Sequence, residues 1–382
     1  MLNLNIIKNS TILVRVNYDL PLQGYTARIR DSLNTIETLL SNNNKVILVS
    51  HWGRPKGKVE AEFSTNKITG LLYEQLQSSN KELLINASIE YLDQYQNFKE
   101  AAEYIRNTDV DKNNSKIFLL ENTRFHPMEK SKNSENRLNL AKQYAILADV
   151  FVDEAFAVSH RQEATNSEIK SILPYALGHS YESELSHLSK LKENPKKPFY
   201  IIMAGSKLKT KLELITNLLE KSDKILLGGM LCFTFLKAKQ ELYPDLDLAD
   251  TYDSEIETDF IDKAKKLLLE YPEKIVLPKD FTYTQTEGKK LAMDIGPQTV
   301  DFYSKQISHA NTIFWNGTLG YYEKPPFDQG TLQLAKSIAN LKYCYKVIGG
   351  GDTNSALPRS ILQTFNFASM GGGATLNYLS QN

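Results

Sequence analysis

The chain has 382 residues, 41% of them hydrophobic and 24% charged, more than one ordinary core organises, so two domains are expected. Lys plus Arg and Asp plus Glu both number 45, so the formal net charge is zero and no global field draws nucleic acid or an anionic membrane. Any anion site must be local.

The amino terminus, MLNLNIIKNS, lacks a basic region followed by a long apolar stretch, and no later window approaches the roughly 20 apolar residues of a span. Cys232 and Cys344 lie in apolar runs without CxxC or metal-ligand spacing, which predicts buried thiols and a reducing compartment. The expectation is a cytoplasmic chain with neither a membrane nor a nucleic-acid partner.

In chain order, short apolar and β-branched runs recur: TILVRV, KVILVS, KIFLL and VFV, then PFYIIM, KILLGG, KIVLP, TIFW and YKVIGG. They predict buried parallel strands. Between them lie amphipathic stretches, such as 31–41, where Leu33, Ile36, Leu39 and Leu40 share one helical face, and 211–221. The alternation predicts an α/β protein built from two doubly wound, Rossmann-like parallel sheets. In ESELSHLSKLKEN, Leu185, Leu188 and Leu191 recur at helical spacing before the breaker NPKKP. This predicts a helix over about 182–193 joining a first lobe, 1–181, to a second that runs toward residue 365.

Ligands of open α/β sheets bind beyond the carboxyl ends of the strands. In the first lobe those ends deliver Asn17 and Asp19, then His51 and Arg54, then Arg124, then His160 and Arg161, while Arg28 opens the first helix. Cations recurring at one edge predict a site for an anion bearing phosphate and carboxylate, which guanidinium forks bind bidentately.

The second lobe's strand ends are glycine-rich: AGSKLKTK, LLGGM, FWNGTLG, VIGGGDT and SMGGGAT. Gly349, Gly350 and Gly351 precede Asp352 and a helix expected to start at Thr353 and Asn354. Such glycines let backbone N–H groups approach a phosphate, and a helix amino terminus adds a favourable dipole. A carboxylate repels phosphate, so the natural use of Asp352 is to hold Mg²⁺. Lys207 and Lys211, four apart on one helical face, can both point at polyphosphate. Walker A, HRD, DFG, complete GxGxxG, HExxH and GxSxG strings are absent. What remains is a nucleotide lobe and a basic lobe, which suits phosphoryl transfer between two separately bound substrates.

HWGRPKG, ENTRFHP, AFAVSHR, SKLKTKL, WNGTLGYYE, GGGDT and GGGAT occur in that order. From about residue 10 to the end the chain thereby resembles phosphoglycerate kinase. The resemblance implies reversible transfer from 1,3-bisphosphoglycerate to ADP, giving 3-phosphoglycerate and MgATP, by a monomer whose lobes close about the linking helix. It implies that 366–382 returns to the first lobe. Carried over residue by residue, Asn17, Asp19, Arg28, His51, Arg54, Arg124 and Arg161 would bind the phosphoglycerate, with Arg28 nearest the transferred group. Lys207 would meet the transferring phosphoryl, Lys211 the nucleotide phosphates and Glu323 the ribose. Gly350, Gly351, Asp352 and Thr353 would cradle phosphate and Mg²⁺, and Gly205, Gly228, Gly229 and Asn316 would line the nucleotide cleft. The chemistry agrees, because a carboxylate nucleophile is already ionised at neutral pH and needs charge neutralisation rather than a general base. A binding protein of the same fold that has lost turnover is the main rival, and the retained Arg28, Lys207 and Asp352 oppose it.

Several positions depart from the family's usual strings. Asn17 and Asp19 invert its Asp-x-Asn order, and the loop over 23–27 is short. Ala204 and Met230 stand where glycines are usual, Thr318 replaces a proline and Met370 a threonine. The inversion moves a negative charge along the pocket, and pairing of Asp19 with Arg28 or another arginine is the expected compensation.

Overall fold

The computed structural model describes residues 1–20, 26–95, 97–110, 115–205, 208–242, 258–286 and 288–381. The short loop over 23–27 and Lys207 therefore fall wholly or largely outside the described residues. The chain divides into two compact units, Met1–Leu185 and Ser186–Asn382, so the expected break at 181/182 lies four residues later.

In the first unit, β1 (Thr11–Arg15), β2 (Lys45–Val49), β3 (Ser88–Leu92), β4 (Lys116–Leu120), β5 (Val150–Asp153) and β6 (Tyr175–Leu177) form one sheet. Its order is β3-β4-β2-β1-β5-β6, parallel throughout. Alternation along β1 sends Ile12 and Val14 to a core shared with Ile29, Ile36 and Leu39 of the helix Ala27–Ser41. Leu13 joins the opposite core with Phe118, Leu140 and Phe151. The same alternation carries Arg15, the last residue of β1, to the Leu13 side. The helix ends where Asn44 Nδ2 donates to the Leu39 carbonyl at 2.9 Å and Asn43 adopts a φ of 57°.

The second unit contains β7 (Phe199–Met203), β8 (Lys224–Leu227), β9 (Ile275–Val276), β10 (Phe281–Thr286), β11 (Lys289–Ile295), β12 (Thr312–Asn316), β13 (Tyr345–Gly349) and β14 (Phe367–Ser369). Six of these form a second parallel sheet, ordered β14-β13-β12-β7-β8-β9, while β10 and β11 pair as an antiparallel hairpin. Ile202, Trp315 and Ile348 build one of its cores with Tyr303 from the helix Pro297–Ile307. In each sheet the first strand sits centrally and the chain order reverses beside it, between β1 and β5 and between β7 and β12. A ligand is expected beyond the carboxyl ends of the strands at such a reversal.

All nine apolar runs become strands. The strands with no such run are β3, β6 and β14, at sheet edges, and the hairpin. Residues of β3 are exposed or half-buried, so packing never required a continuous apolar string there.

The linking helix covers His179–Lys192 rather than 182–193. Its first turn is held by polar groups: Ser180 N–H donates to Glu154 Oε1 at 3.2 Å and His179 N–H to Thr35 Oγ1 at 2.8 Å. The segment 366–382, expected to return to the first lobe, belongs by its contacts to the second unit. There β14 pairs with β13, and Asn217 Nδ2 donates to the Ser380 carbonyl at 3.2 Å. The second sheet thus continues past residue 365. Both cysteines are free and buried. Among the described residues no helix is long and apolar enough to cross a membrane.

Candidate active site

Beyond β1 the chain runs through Val16 to Leu20, pinned by Tyr18. Its N–H donates to Ser50 Oγ at 2.9 Å, and its hydroxyl lies 2.7 Å from Ser32 Oγ on the helix Ala27–Ser41. Asp19 thereby meets the loop after β2: Oδ1 accepts from Gly53 N–H at 2.9 Å, and Oδ2 lies 3.6 Å from His51 Nε2. Arg28 donates to the backbone carbonyl of Asp19, not to its carboxylate. The direct partners of the inverted Asp19 are thus His51 and a backbone N–H, and among the arginines Arg124 stabilises its carboxylate by charge. Asn17 is half-buried and Arg54 exposed.

Arg124 arrives on the turn after β4. Asn122 shapes that turn, its Oδ1 accepting from Arg124 N–H at 3.0 Å and Trp52 N–H at 3.2 Å, its Nδ2 donating to the carbonyls of Trp52 and Phe63. Arg124 Nη1 donates to the Gly53 carbonyl at 2.8 Å. Arg161, after β5, shares a partner with it: Glu163 Oε1 lies 3.5 Å from Arg124 Nη2 and 3.9 Å from Arg161 Nη1. Lys130 belongs to the same group. Burial lowers its pKa first, and the positive charges of Arg124, Arg161 and Arg54 lower it further.

Beneath this edge lies Arg15, fully buried in a strand. Its Nη2 sits 2.9 Å from His51 Nδ1 and 3.4 Å from Glu163 Oε2, its Nε donates to Thr165 Oγ1 at 3.0 Å and its Nη1 to the Val16 carbonyl at 2.7 Å. A guanidinium only donates, so His51 Nδ1 must accept and Nε2 carries the proton facing Asp19. Burial, reinforced by the charges of Arg15 and Arg124, holds the imidazole down to about 4, so it is neutral at physiological pH. Burial alone would raise Asp19, but the hydrogen bonds from His51 and Gly53 and the charge of Arg124 hold it below the usual carboxylate range.

The second unit's edge is built from backbone. Gly205 (φ 100°), Gly229 (φ 56°) and Gly317 (φ 97°), which follow the adjacent strands β7, β8 and β12, adopt conformations that favour glycine. A Cβ at Gly317 would lie 2.1 Å from the Ala204 carbonyl oxygen, and one at Gly229 would lie 2.6 Å from Gly205 N. Gly228 packs as closely, with Leu319 2.3 Å from the place of its Cβ. Lys211 is buried and donates to the Ala204 carbonyl, its Nζ 3.0 Å from where a Gly205 Cβ would stand. After β13, Asn316 Nδ2 donates to the Gly349 carbonyl at 2.8 Å, and Thr353 Oγ1 accepts from Gly317 N–H at 2.8 Å. The helix here begins at Gly351, two residues before the expected start, and is only five residues long. Gly350 has a φ of 102°, and nothing lies within 4 Å of a Cβ placed on Gly351. Asp352 and Glu323 are exposed, and both raise the pKa of Tyr322 after burial has done so, which puts them in one neighbourhood. Of the departures, Met230 is exposed and Met370 Sδ lies 3.3 Å from Asn354 Nδ2.

The sequence motifs do not single out Arg15, Asn122, Lys130 or Glu163. Arg15 alone left a signal, a charge inside the apolar run TILVRV.

One sheet edge of buried arginines and one of crowded glycines, each at a strand-order reversal, define the two-lobed α/β phosphotransferase class. The family model described as Phosphoglycerate kinase matches residues 2–382. Phosphoglycerate kinase from Finegoldia magna is 34% identical, the match covering 98% of this chain and 94% of the relative. That from Coprothermobacter proteolyticus is 35% identical at the same coverage. Among solved structures, phosphoglycerate kinase from Pyrococcus horikoshii OT3 aligns with a TM-score of 0.80 at 25% identity, and that from Coxiella burnetii with 0.75 at 29%, each covering 98% of this chain and 94% of the other. The chain belongs to the phosphoglycerate kinase family, and its activity is that of a phosphotransferase with a carboxyl group as acceptor.

Proposed function

We propose that the cationic edge binds 3-phosphoglycerate or 1,3-bisphosphoglycerate through Asn17, Asp19, Arg28, His51, Arg54, Arg124 and Arg161. The glycine-rich edge binds ADP or ATP through Gly205, Lys211, Gly228, Gly229, Asn316, Glu323, Gly350, Gly351, Asp352 and Thr353. The observation that carries this reading is a cluster of cations at one edge: Arg28 bonds the Asp19 carbonyl, Arg124 bonds the Gly53 carbonyl beside the Asp19–His51 pair, and Arg124 and Arg161 share Glu163, which suits an anion of more than one charge. Lys207 and Arg28 are the catalytic residues of the proposal. For Lys207 the support is the family match, and its charge meets the phosphoryl group in transit.

Mg²⁺ fits this edge as an ion carried largely by nucleotide phosphates and water. Asp352 is an exposed carboxylate beside the open space at Gly351. Among the described residues no group of three or more His, Cys, Asp or Glu side chains could form a dedicated cage. Asp352 would hold the ion, whose charge would offset that of the phosphoryl oxygens. The substrate carboxylate attacks without a general base, so the residues of both edges orient and neutralise. Transfer is direct and in line, with closure about the helix His179–Lys192, in a cytoplasmic monomer.

A coupled assay of ATP-dependent phosphorylation of 3-phosphoglycerate tests this. Turnover abolished by EDTA and restored by Mg²⁺ is expected, with Lys207→Ala lowering kcat on the order of 10² to 10³. Binding of both substrates without turnover would favour the reading as a binding protein. More than about half of wild-type kcat in Lys207→Ala would remove that lysine from the mechanism.

A further inference from the structure

The cationic edge contains a buried negative charge that the binding reading does not use. Glu163 is 1% exposed, its carboxylate 3.4 Å from Arg15, 3.5 Å from Arg124 and 3.9 Å from Arg161, and its Oε1 accepts no hydrogen bond. These are approaches of charge to charge rather than well-formed hydrogen bonds. Nor do Arg15 and Arg124 need Glu163 for orientation. Arg124 is fixed by the Gly53 carbonyl, and Arg15 by Thr165, the Val16 carbonyl and His51. What Glu163 adds is charge, beside the guanidiniums that a phosphate or carboxylate would seek.

A second carboxyl lies behind it. Glu129 is fully buried, its Oε1 accepting from Thr165 Oγ1 at 2.6 Å and its Oε2 from Thr165 N–H at 3.2 Å, while Thr165 Oγ1 accepts from Arg15 Nε. Burial first, then the charge of Glu163, pushes Glu129 up to about 7. Burial would raise Glu163 too, but Arg15, Arg124 and Arg161 hold it below its ordinary value. One carboxyl therefore stays ionised at neutrality while the other exchanges a proton.

We propose that Glu163 is an internal counter-ion of the cationic edge, competing with the incoming phosphorylated acid for Arg124 and Arg161, and that Glu129 is the proton reservoir that relaxes this competition. The proposal rests on the reading of this edge as the phosphoglycerate site. An edge with undiminished positive charge would hold substrate and product alike too firmly, and a resident carboxylate weakens ground-state binding and speeds release.

The sign of the pH dependence follows. A bound anion disfavours a second ionised carboxyl, so binding takes up a proton at Glu129, and affinity rises as pH falls from 8 to 6. The charged groups facing the pair are Arg15, Arg124, Arg161 and Lys130. Its titratable neighbours stay uncharged above pH 7: His51, His126 and His160 lie below 6.5, and burial keeps Tyr95 and Tyr144 protonated. Glu129, pushed up to about 7, is thus the group of this cluster that titrates near neutrality.

Calorimetry on the full chain tests this at pH 7.5 in two buffers of different ionisation enthalpy, with 3-phosphoglycerate as ligand and sulfate as a probe that does not titrate. Glu163→Gln, which keeps the shape and removes the charge, should bind both ions about three- to thirty-fold more tightly, with the KM for ATP within twofold of wild type. Wild type should take up a fraction of a proton on binding sulfate, and Glu129→Gln none. Unchanged or weaker anion binding by folded Glu163→Gln would overturn the counter-ion. No uptake by wild type, or equal uptake by Glu129→Gln, would overturn the reservoir, and that proton count decides the matter if Glu163→Gln fails to fold. Failure of wild type to bind 3-phosphoglycerate would instead overturn the functional reading of the edge, and sulfate would still report on the charge.

Discussion

The edge beyond β1 and β5 and the edge beyond β7 and β12 occupy the same place in two sheets of like strand order, yet their materials differ. The first is made of side chains: Arg15, Arg124, His51, Asp19 and Glu163 are tied to one another across loops that follow four strands. The second is made of backbone, with Gly205, Gly229 and Gly317 in near contact and Thr353 and Asn316 bonded to main-chain groups. An edge of buried charges can be tuned by a proton or by one carboxylate. An edge of crowded glycines has no such adjustment, and its failure mode is steric.

The largest effect should therefore come from a single methyl group. Gly317→Ala forces a Cβ to 2.1 Å from the Ala204 carbonyl oxygen at a φ of 97°, so the loops after β7 and β12 must part. A loss of about 2 to 6 kcal/mol in stability is expected from strain and overpacking together. Activity should fall on the order of 100-fold through misplaced nucleotide. Thermal unfolding and ATP kinetics check this, and an alanine variant of wild-type stability and KM would mean that the edge can open without cost.

The first edge should be robust to such changes but legible to pH. His51 is expected to show a neutral Nε2–H tautomer by nitrogen-detected NMR, with no titration above about pH 5. Because folding depresses this pKa from 6.5 to about 4, the unfolded chain takes up its proton first on acidification. The site's contribution to stability, on the order of 3 kcal/mol, is present above pH 6.5 and is lost as pH falls toward 4. A His51 titrating near 6.5 would show that Arg15 does not fix its tautomer.

These two edges were unequally legible in the sequence. Central strands announce themselves as apolar runs because both their faces are buried, whereas β3, β6 and β14 lie at edges that asked for no such run. The glycine strings and the arginines after strands were visible because position after an apolar run carries the information. The supports were not. Arg15 finds Thr165 150 residues along the chain, and no local pattern links them. Asn122 sits inside ENTRFHP and Glu163 two residues beyond AFAVSHR, and only the folded loops show that one builds the Arg124 turn and the other opposes its charge. The helix start at His179 was missed for a related reason, since Glu154 and Thr35 hold it from elsewhere in the chain.

The central claim is that the two edges bind different ligands by different means, and one set of calorimetric titrations tests it: wild type, Arg161→Ala and Gly317→Ala, each with 3-phosphoglycerate and with ATP. Arg161 is partly exposed and lies 3.9 Å from Glu163, so its loss should leave the buried network standing. Arg161→Ala should lose about ten- to a hundred-fold in affinity for 3-phosphoglycerate, the range for truncating a charged hydrogen-bonding partner, with ATP affinity within twofold. Gly317→Ala should show the reverse, weakened ATP and unchanged 3-phosphoglycerate. Equal losses for both ligands in either variant would contradict the division of labour between the edges.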